Sequence, residues 1–348
     1  MTENKIRAGI IGATGYAGEE LLRLLLMHPL AEIGGISSVS FEGQKISEVY
    51  PSLAAFCDMV LTDEDAVIAN SDVVFASLPH GLCEEKAKKV LALGKAFIDL
   101  GADFRLYREE DYQQWYGLEY KEKQLHEQAV YCIPELHRGL AGGKRLIGNP
   151  GCYPTSIALG LAPALKAGFV FADDIIIDSK SGVTGAGRGL SQKTHYPDCN
   201  EAFSPYKAAE HRHTPEIEQT LTELAGERAM VTFVPHLLPV NRGIVSTIYA
   251  KLKQSVTLKE VHRSYEMFYQ DEEFVRVMPL GDYANLKNVT FSNMCDISLH
   301  MDSRMNRMIV VSTIDNMVKG AAGQAIQNMN LICGLPEDTG LKLVPPAF

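Results

Sequence analysis

The spacing of apolar positions changes period several times along the 348 residues. Residues 7–11 form a short apolar run that ends in Gly12, which predicts a buried strand. Leucines then recur at helical spacing over 19–27, and His28-Pro29 stops that helix. Apolar runs at 32–37, 73–77 and 96–100 predict three more strands, the last two separated by a helical pattern over 84–93. Strand–helix–strand at this spacing means βαβ units and a parallel sheet. Residues 109–128 are polar and aromatic-rich, a helix plus loop, and 145–148 close the series as a strand before Asn149-Pro150-Gly151. The second half differs. Longer, closer strands are predicted at 174–179, 231–234, 243–252, 274–278, 295–301 and 308–314, with helices only near 214–224 and 257–269. That is an α+β pattern with a mixed, mostly antiparallel sheet. A last helical stretch, 317–332, carries Ala321, Ala322, Ala325 and Ile326 and is placed to return to the first domain. The expected fold is α/β: a doubly wound parallel sheet over 1–150, joined by 315–348, and an α+β domain over 151–314.

Composition narrows the function. Acidic residues number 43 and basic residues 33, a net charge of −10, with no dense basic run, so nucleic acid is not an expected partner. No apolar stretch approaches the ~20 residues of a membrane span. The chain enters a strand almost at once, so no signal peptide is expected. Seven cysteines lie far apart with no CxxC, which suits a reducing cytoplasm and not a disulfide framework. The match Asn288-Val289-Thr290 to a glycosylation acceptor is accordingly read as chance.

Three stretches carry chemistry. Gly12-Ala13-Thr14-Gly15-Tyr16-Ala17-Gly18 lies between the first strand and the first helix. Glycines there permit a tight turn and let backbone N–H groups approach a phosphate at a helix N-terminus. The spacing is GxxGxxG, not the commoner GxGxxG. At the tip of the second strand stand Ser37-Ser38-Val39-Ser40, with no acid to repel a 2′-phosphate, which favours NADP over NAD. Second, Gly148-Asn149-Pro150-Gly151-Cys152-Tyr153-Pro154-Thr155 places Cys152 at the start of a helix expected from near Pro154. A thiol there loses its proton more readily, and the same turn's amides can hold an oxyanion. Third, in Glu210-His211-Arg212-His213-Thr214-Pro215-Glu216, Thr214 is the expected N-cap and Pro215 the first helical residue. Either histidine suits general acid–base work near neutral pH. A metal site is not expected, because His-x-His finds no Cys or His partners at ligand spacing nearby. Weaker signals are Ser77 and Pro79 after a strand end, Arg105 in Asp99-Leu100-Gly101-Ala102-Asp103-Phe104-Arg105 as an anion clamp, and a second glycine loop, 181–188.

Together these motifs, with Asp315-Asn316-Met317-Val318-Lys319-Gly320-Ala321-Ala322, resemble the N-acetyl-gamma-glutamyl-phosphate reductases, relatives of aspartate-semialdehyde dehydrogenase. The resemblance runs essentially end to end. It implies a Rossmann domain first and a catalytic, dimer-forming domain second. It implies that Cys152 is the nucleophile and that a histidine of the pair is the acid/base. His213 is preferred because it abuts the helix cap; His211 stays open. The cofactor contacts so implied are Gly12, Thr14, Gly15, Tyr16, Ala17, Ser37, Ser38, Ser77, Pro79, Gly182, Gly185 and Asn316. The substrate contacts are Arg105, Asn149, His211 and Arg212. The implied reaction is NADPH-dependent reduction of an acyl phosphate to a semialdehyde through a cysteine thioester, in arginine biosynthesis, by a homodimer or homotetramer. Gly101 and Val183 depart from the family's pattern without touching a reacting group. Three rivals stand beside this. Aspartate-semialdehyde dehydrogenase has Asn-Cys-Thr where this chain has Gly-Cys-Tyr. A reductase for a substrate one methylene longer is separated by only about 1–3 kcal/mol. A regulatory protein that binds NADPH without turnover need not keep the cysteine and the histidines.

Overall fold

The computed structural model describes residues 5–347, which form two compact units. Among the described residues, unit 1 comprises 5–150 and Ala321–Leu343, and unit 2 comprises Gly151–Gly320 and 344–347.

Unit 1 runs β1 (Ile6–Ile11), α1 (Tyr16–Leu25), β2 (Ala31–Ser37), α2 (Ile46–Val49), α3 (Glu64–Asn70), β3 (Val73–Ala76), α4 (Cys83–Ala92), β4 (Ala96–Asp99), α5 (Glu109–Tyr116), α6 (Lys123–Gln128), β5 (Val130–Tyr131), α7 (Pro134–Ala141) and β6 (Leu146–Gly148). The six strands stand in the order β2-β1-β3-β4-β6-β5, and every pair is parallel. Parallel sheets are covered on both faces, and β3 is accordingly buried at all four residues. Helix α1 begins at Tyr16, three residues before the leucine periodicity, because Gly15 already takes the extended N-cap conformation. The polar 109–128 segment splits into α5 and α6 because Gly117, at φ +69°, ends the first helix in a left-handed turn. Helices α3 and α7 and the two-residue β5 are too short to show a period, and were missed.

Unit 2 contains α8 (Cys152–Lys166), β7 (Val170–Gly182), α9 (Tyr196–Cys199), β8 (Ser204–Pro205), α10 (Thr214–Ala225), β9 (Val231–Leu238), β10 (Ile244–Leu252), α11 (Leu258–Tyr269), β11 (Val275–Val277), β12 (Cys295–Asp302) and β13 (Arg307–Ile314). Its sheet has the order β11-β12-β13-β10-β7-β9-β8, mostly antiparallel, with β7–β9 and β11–β12 parallel. Burial alternates along β7 and β10, and α8, α10 and α11 pack on the sheet. Helix α8 lies close to it: a Cβ at Gly160 would stand 3.2 Å from Ile248 Cδ1 and 3.2 Å from Ser312 Cβ.

Pro163 sits inside α8 and removes one helical donor, which frees the carbonyl of Leu159. Tyr269 Oη donates to that carbonyl at 2.5 Å, and Tyr265 Oη to Gly160 O at 2.7 Å. Both hydroxyls come from α11, so the proline's defect is repaired from a neighbouring helix. Tyr269→Phe leaves a buried carbonyl unsatisfied and is expected to cost about 1–3 kcal/mol in urea unfolding. An unchanged midpoint would show that the carbonyl finds another donor.

After β13 comes a π-turn, Val318–Ala322, and then α12 (Gly323–Ile332). The small apolar residues of α12 are only half of its character. Gln324, Gln327, Asn328 and Asn330 are buried too. In unit 1, Asn328 Nδ2 donates to Cys132 O (3.1 Å) and Asn149 Oδ1 (3.0 Å), Gln327 Nε2 donates to Glu135 (3.0 Å), and Asn330 Oδ1 meets His28 Nε2 (3.1 Å).

Candidate active site

The first glycine turn belongs to unit 1. Gly12 has φ +85°, and a Cβ there would overlap Ser77 O. A Cβ at Gly18 would likewise overlap Gly12 O. These two glycines serve the turn itself. Gly15, the N-cap of α1, is different: no side chain caps it, and the nearest atom to its would-be Cβ is 3.6 Å away. The entrance of α1, with Tyr16 and Ala17 as its first residues, thus keeps amides that no side chain caps, where a phosphate can approach. Beside it, Thr14 Oγ1 and Ser38 Oγ lie 2.6 Å apart, and Ser37 O accepts from Gly12 N and Ala13 N. The residues present fit a dinucleotide.

Ser77 and Pro79 follow β3, and Ser77 N donates to Ile11 O at 2.9 Å. The turn after them is fastened by Asp103, a residue whose role no local signal announces. Asp103 is fully buried; its carboxylate accepts from Gly81 N (2.7 Å), Cys83 N (2.9 Å) and Tyr112 Oη (2.8 Å). Asp99 lies beneath it, and burial together with the Asp103 charge raises its carboxyl to about 6. A Cβ at Gly101 would meet Asp99 Oδ1 at 2.8 Å, so this family departure has a local reason. Arg105 Nε donates to Asn149 O and its Nη2 to Leu100 O, both at 2.8 Å. Asn149 is fully buried, and its Nδ2 donates to Ala321 O at 3.1 Å.

In unit 2, α8 starts at Cys152 itself, two residues before the expected Pro154, with Gly151 as N-cap. Pro154 falls in the first turn, where a missing N–H does no harm. No acidic side chain of α8 neutralises this end, and Cys152 is half-buried. A Cβ at Gly320 would come within 2.7 Å of Cys152 Cβ, so only glycine lets the two segments meet.

Tyr153, the next residue, packs edge-on against both imidazoles, with ring centres 5.5 Å from His211 and 6.0 Å from His213. The two imidazoles are 4.8 Å apart, and Tyr206 and Phe233 close the cluster around His211. Tyr153 and Tyr206 pair through their hydroxyls at 3.1 Å. The expected cap of α10 is corrected. Its N-cap is His213, not Thr214, and Pro215 is the second helical residue. The His213 N–H donates to His211 Nδ1 at 3.1 Å, and no side chain caps the first amides of α10. Thr214 Oγ1 makes no hydrogen bond among the described residues. Arg212 is exposed.

Burial, then the nearby Lys207 and Arg212 charges, lower His211 to about 4. Its Nδ1 accepts, so the neutral ring carries its proton on Nε2. The sign for stability follows. Unfolded imidazole takes a proton near pH 6.5 and folded His211 does not until about 4, so stability is full above 6.5 and falls as pH drops through that window. His211→Asn is expected to reduce the loss between pH 7 and pH 5 by about 2 kcal/mol in urea melts. Equal pH dependence in the two proteins would refute this.

The second glycine loop follows β7. Gly182 N donates to Gly243 O, and a Cβ at Gly182 would stand 2.7 Å from Asn241 O. A Cβ at Gly185 would stand 3.2 Å from Ser181 Oγ. Asn316 fastens the loop: Oδ1 accepts from Gly243 N (2.6 Å) and Nδ2 donates to Thr184 Oγ1 (3.0 Å). No group of three or more His, Cys, Asp or Glu among the described residues is arranged to hold a metal ion. No helix among them is long and apolar enough to cross a membrane.

Comparison with known proteins agrees with this architecture. Residues 7–141 match the family model described as semialdehyde dehydrogenase, NAD binding domain, and residues 152–316 match semialdehyde dehydrogenase, dimerisation domain. A Brachyspira hyodysenteriae protein named N-acetyl-gamma-glutamyl-phosphate reductase is 60% identical, over 99% of this chain and 100% of its own length. A Clostridium beijerinckii protein of the same name is 55% identical over the same shares. Among solved structures, aspartate semialdehyde dehydrogenase II from Vibrio cholerae shares the fold, with a TM-score of 0.72 at 16% identity over 94% of this chain and 98% of its own. The chain belongs to the semialdehyde dehydrogenase family and, within it, to the N-acetyl-gamma-glutamyl-phosphate reductases.

Proposed function

We propose that the protein reduces N-acetyl-gamma-glutamyl phosphate to N-acetylglutamate semialdehyde, a step of arginine biosynthesis, through a thioester on Cys152. The observation that carries the reading is the Cys152 turn. A cysteine opens a helix whose first turn holds no acid, and the next side chain packs on both histidines. His213 takes the thiol proton, and the thiolate attacks the acyl carbon. The bond to phosphate breaks, His213 passes the proton to the leaving phosphate, and the thioester remains. When bound, NADPH supplies the hydride that reduces that carbonyl. The amides at the start of α8 steady the oxyanion of the thiohemiacetal, whose collapse expels the Cys152 thiolate and releases the aldehyde. His211 stays neutral at ordinary pH and offers its Nε2 proton as a hydrogen bond. Arg105 and Asn149 hold the loops after β4 and β6 in place.

NADP is preferred over NAD because the hydroxyls of Thr14, Ser37 and Ser38 line the end of β2, where an acid would repel a 2′-phosphate. A homodimer is proposed through the unit 2 sheet. Ile176, Tyr249 and Ile309 stand in one cross-strand row, outside the alternation that buries their neighbours, and Ile176 is 41% exposed. We place the enzyme in the cytoplasm, where its thiol stays reduced.

The test runs the reaction in reverse, following NADP reduction with N-acetylglutamate semialdehyde and phosphate. Phosphate-dependent NADPH formation that iodoacetamide abolishes is expected. Activity only with aspartate semialdehyde or the one-methylene-longer homologue would overturn the substrate. Cofactor binding with no turnover of any of the three would overturn the enzyme assignment.

A further inference from the structure

We propose that Glu216 is a positioning residue that locks the Cys152 turn to the histidine turn by capping a helix other than its own. The inference rests on the cysteine-thioester reading above. A glutamate at the third position of a helix ordinarily reaches back to its own N-cap N–H. Glu216 holds that position in α10, yet its N-cap N–H, that of His213, goes to the His211 ring instead. Glu216 Oε1 accepts at 2.7 Å from the N–H of Gly151, the N-cap of α8. Helix α8 needs an outside acceptor, since Gly151 has no side chain and the first turn of α8 has no acid. The α10 entry thus uses His211 of its own turn, and its glutamate serves the α8 entry.

The carboxylate is fully buried. A buried carboxylate is costly unless strong hydrogen bonds hold it, and a charged acceptor on an N–H makes a short, strong one. The bond ends one residue before Cys152, and its acceptor stands three residues after His213. The nucleophile and the histidines thus sit on two helix starts joined by one strut. A misplacement of about 1 Å between reacting groups costs on the order of 10²-fold in rate.

The test compares Glu216→Gln, which keeps an oxygen acceptor of the same reach, with Glu216→Ala, which removes it. Two readouts are taken: steady-state kinetics with N-acetylglutamate semialdehyde, phosphate and NADP, and the rate of Cys152 alkylation by iodoacetamide, followed by the mass of its peptide. For Glu216→Ala, kcat is expected to fall about 10–100-fold with KM nearly unchanged, and Cys152 alkylation to slow. Glu216→Gln is expected to restore both to within about 3-fold of the parent. A glutamine variant as impaired as the alanine variant, or an alanine variant that retains both rates, would overturn the proposal. If Glu216→Ala loses its cooperative melt, the glutamine variant decides alone: near-parent rates support the strut, and a loss of about tenfold or more refutes it. If the parent turns over no semialdehyde, the functional reading fails, and the alkylation rates still decide on Glu216.

Discussion

Cys152→Ser is expected to lower turnover by at least ~10³-fold while NADPH binding stays at its parental strength. The substitution exchanges a thiol, whose thiolate is the nucleophile, for a hydroxyl that is a far weaker acid. It also exchanges the thioester, a good hydride acceptor, for an ester, a poorer one. The surroundings stay as they are: the first turn of α8, the Glu216–Gly151 bond and the close approach of Gly320 do not depend on the sulfur. Cofactor affinity, read by titration of NADPH fluorescence, reports on the glycine turn of unit 1 and is expected not to move. Turnover within about tenfold of the parent would sink the covalent mechanism.

The second large effect is expected at the other glycine turn. Gly12→Ala meets two penalties at once. Its φ of +85° disfavours any Cβ, and the added carbon would overlap Ser77 O, a backbone atom with little freedom to yield. Left-handed strain of about 1–2 kcal/mol and overpacking of about 1–3 kcal/mol together give roughly 2–5 kcal/mol against the bound turn. NADPH affinity should fall at least ~30-fold, while the alkylation rate of Cys152 without cofactor is unchanged. A dissociation constant within about 3-fold of the parent would show that the turn relaxes around the methyl.

Much of this was legible in the chain because the informative residues sit where local rules are strict. Strands β1 and β3 are buried on both faces, so their runs are continuous, and Gly12 is forced by its backbone angle. Cys152 follows a Pro-Gly turn and leads an apolar stripe, which announces a helix start. What escaped depends on partners distant in sequence. Asp103 and Glu216 look like ordinary surface acids, and only the tertiary fold turns each onto the backbone N–H groups of another segment. The cap of α10 falls at His213 and not at Thr214, and nothing local announces that the His213 N–H will meet a histidine ring two residues back. The buried amides of α12 look solvated in isolation, and their partners lie about 180–300 residues earlier in the chain.

That distance separates order of synthesis from order of completion. Unit 2 is nearly one unbroken run, whereas unit 1 is assembled from both ends of the chain. When residue 150 leaves the ribosome, α1 and α7 lack the helix that covers them, and His28, Cys132 and Asn149 lack Asn330 and Asn328. At about 5–20 residues per second the ribosome takes roughly ten to thirty seconds more to deliver them. The half of the protein made first is therefore the half finished last, and for that interval the flank that α12 covers stays open to water.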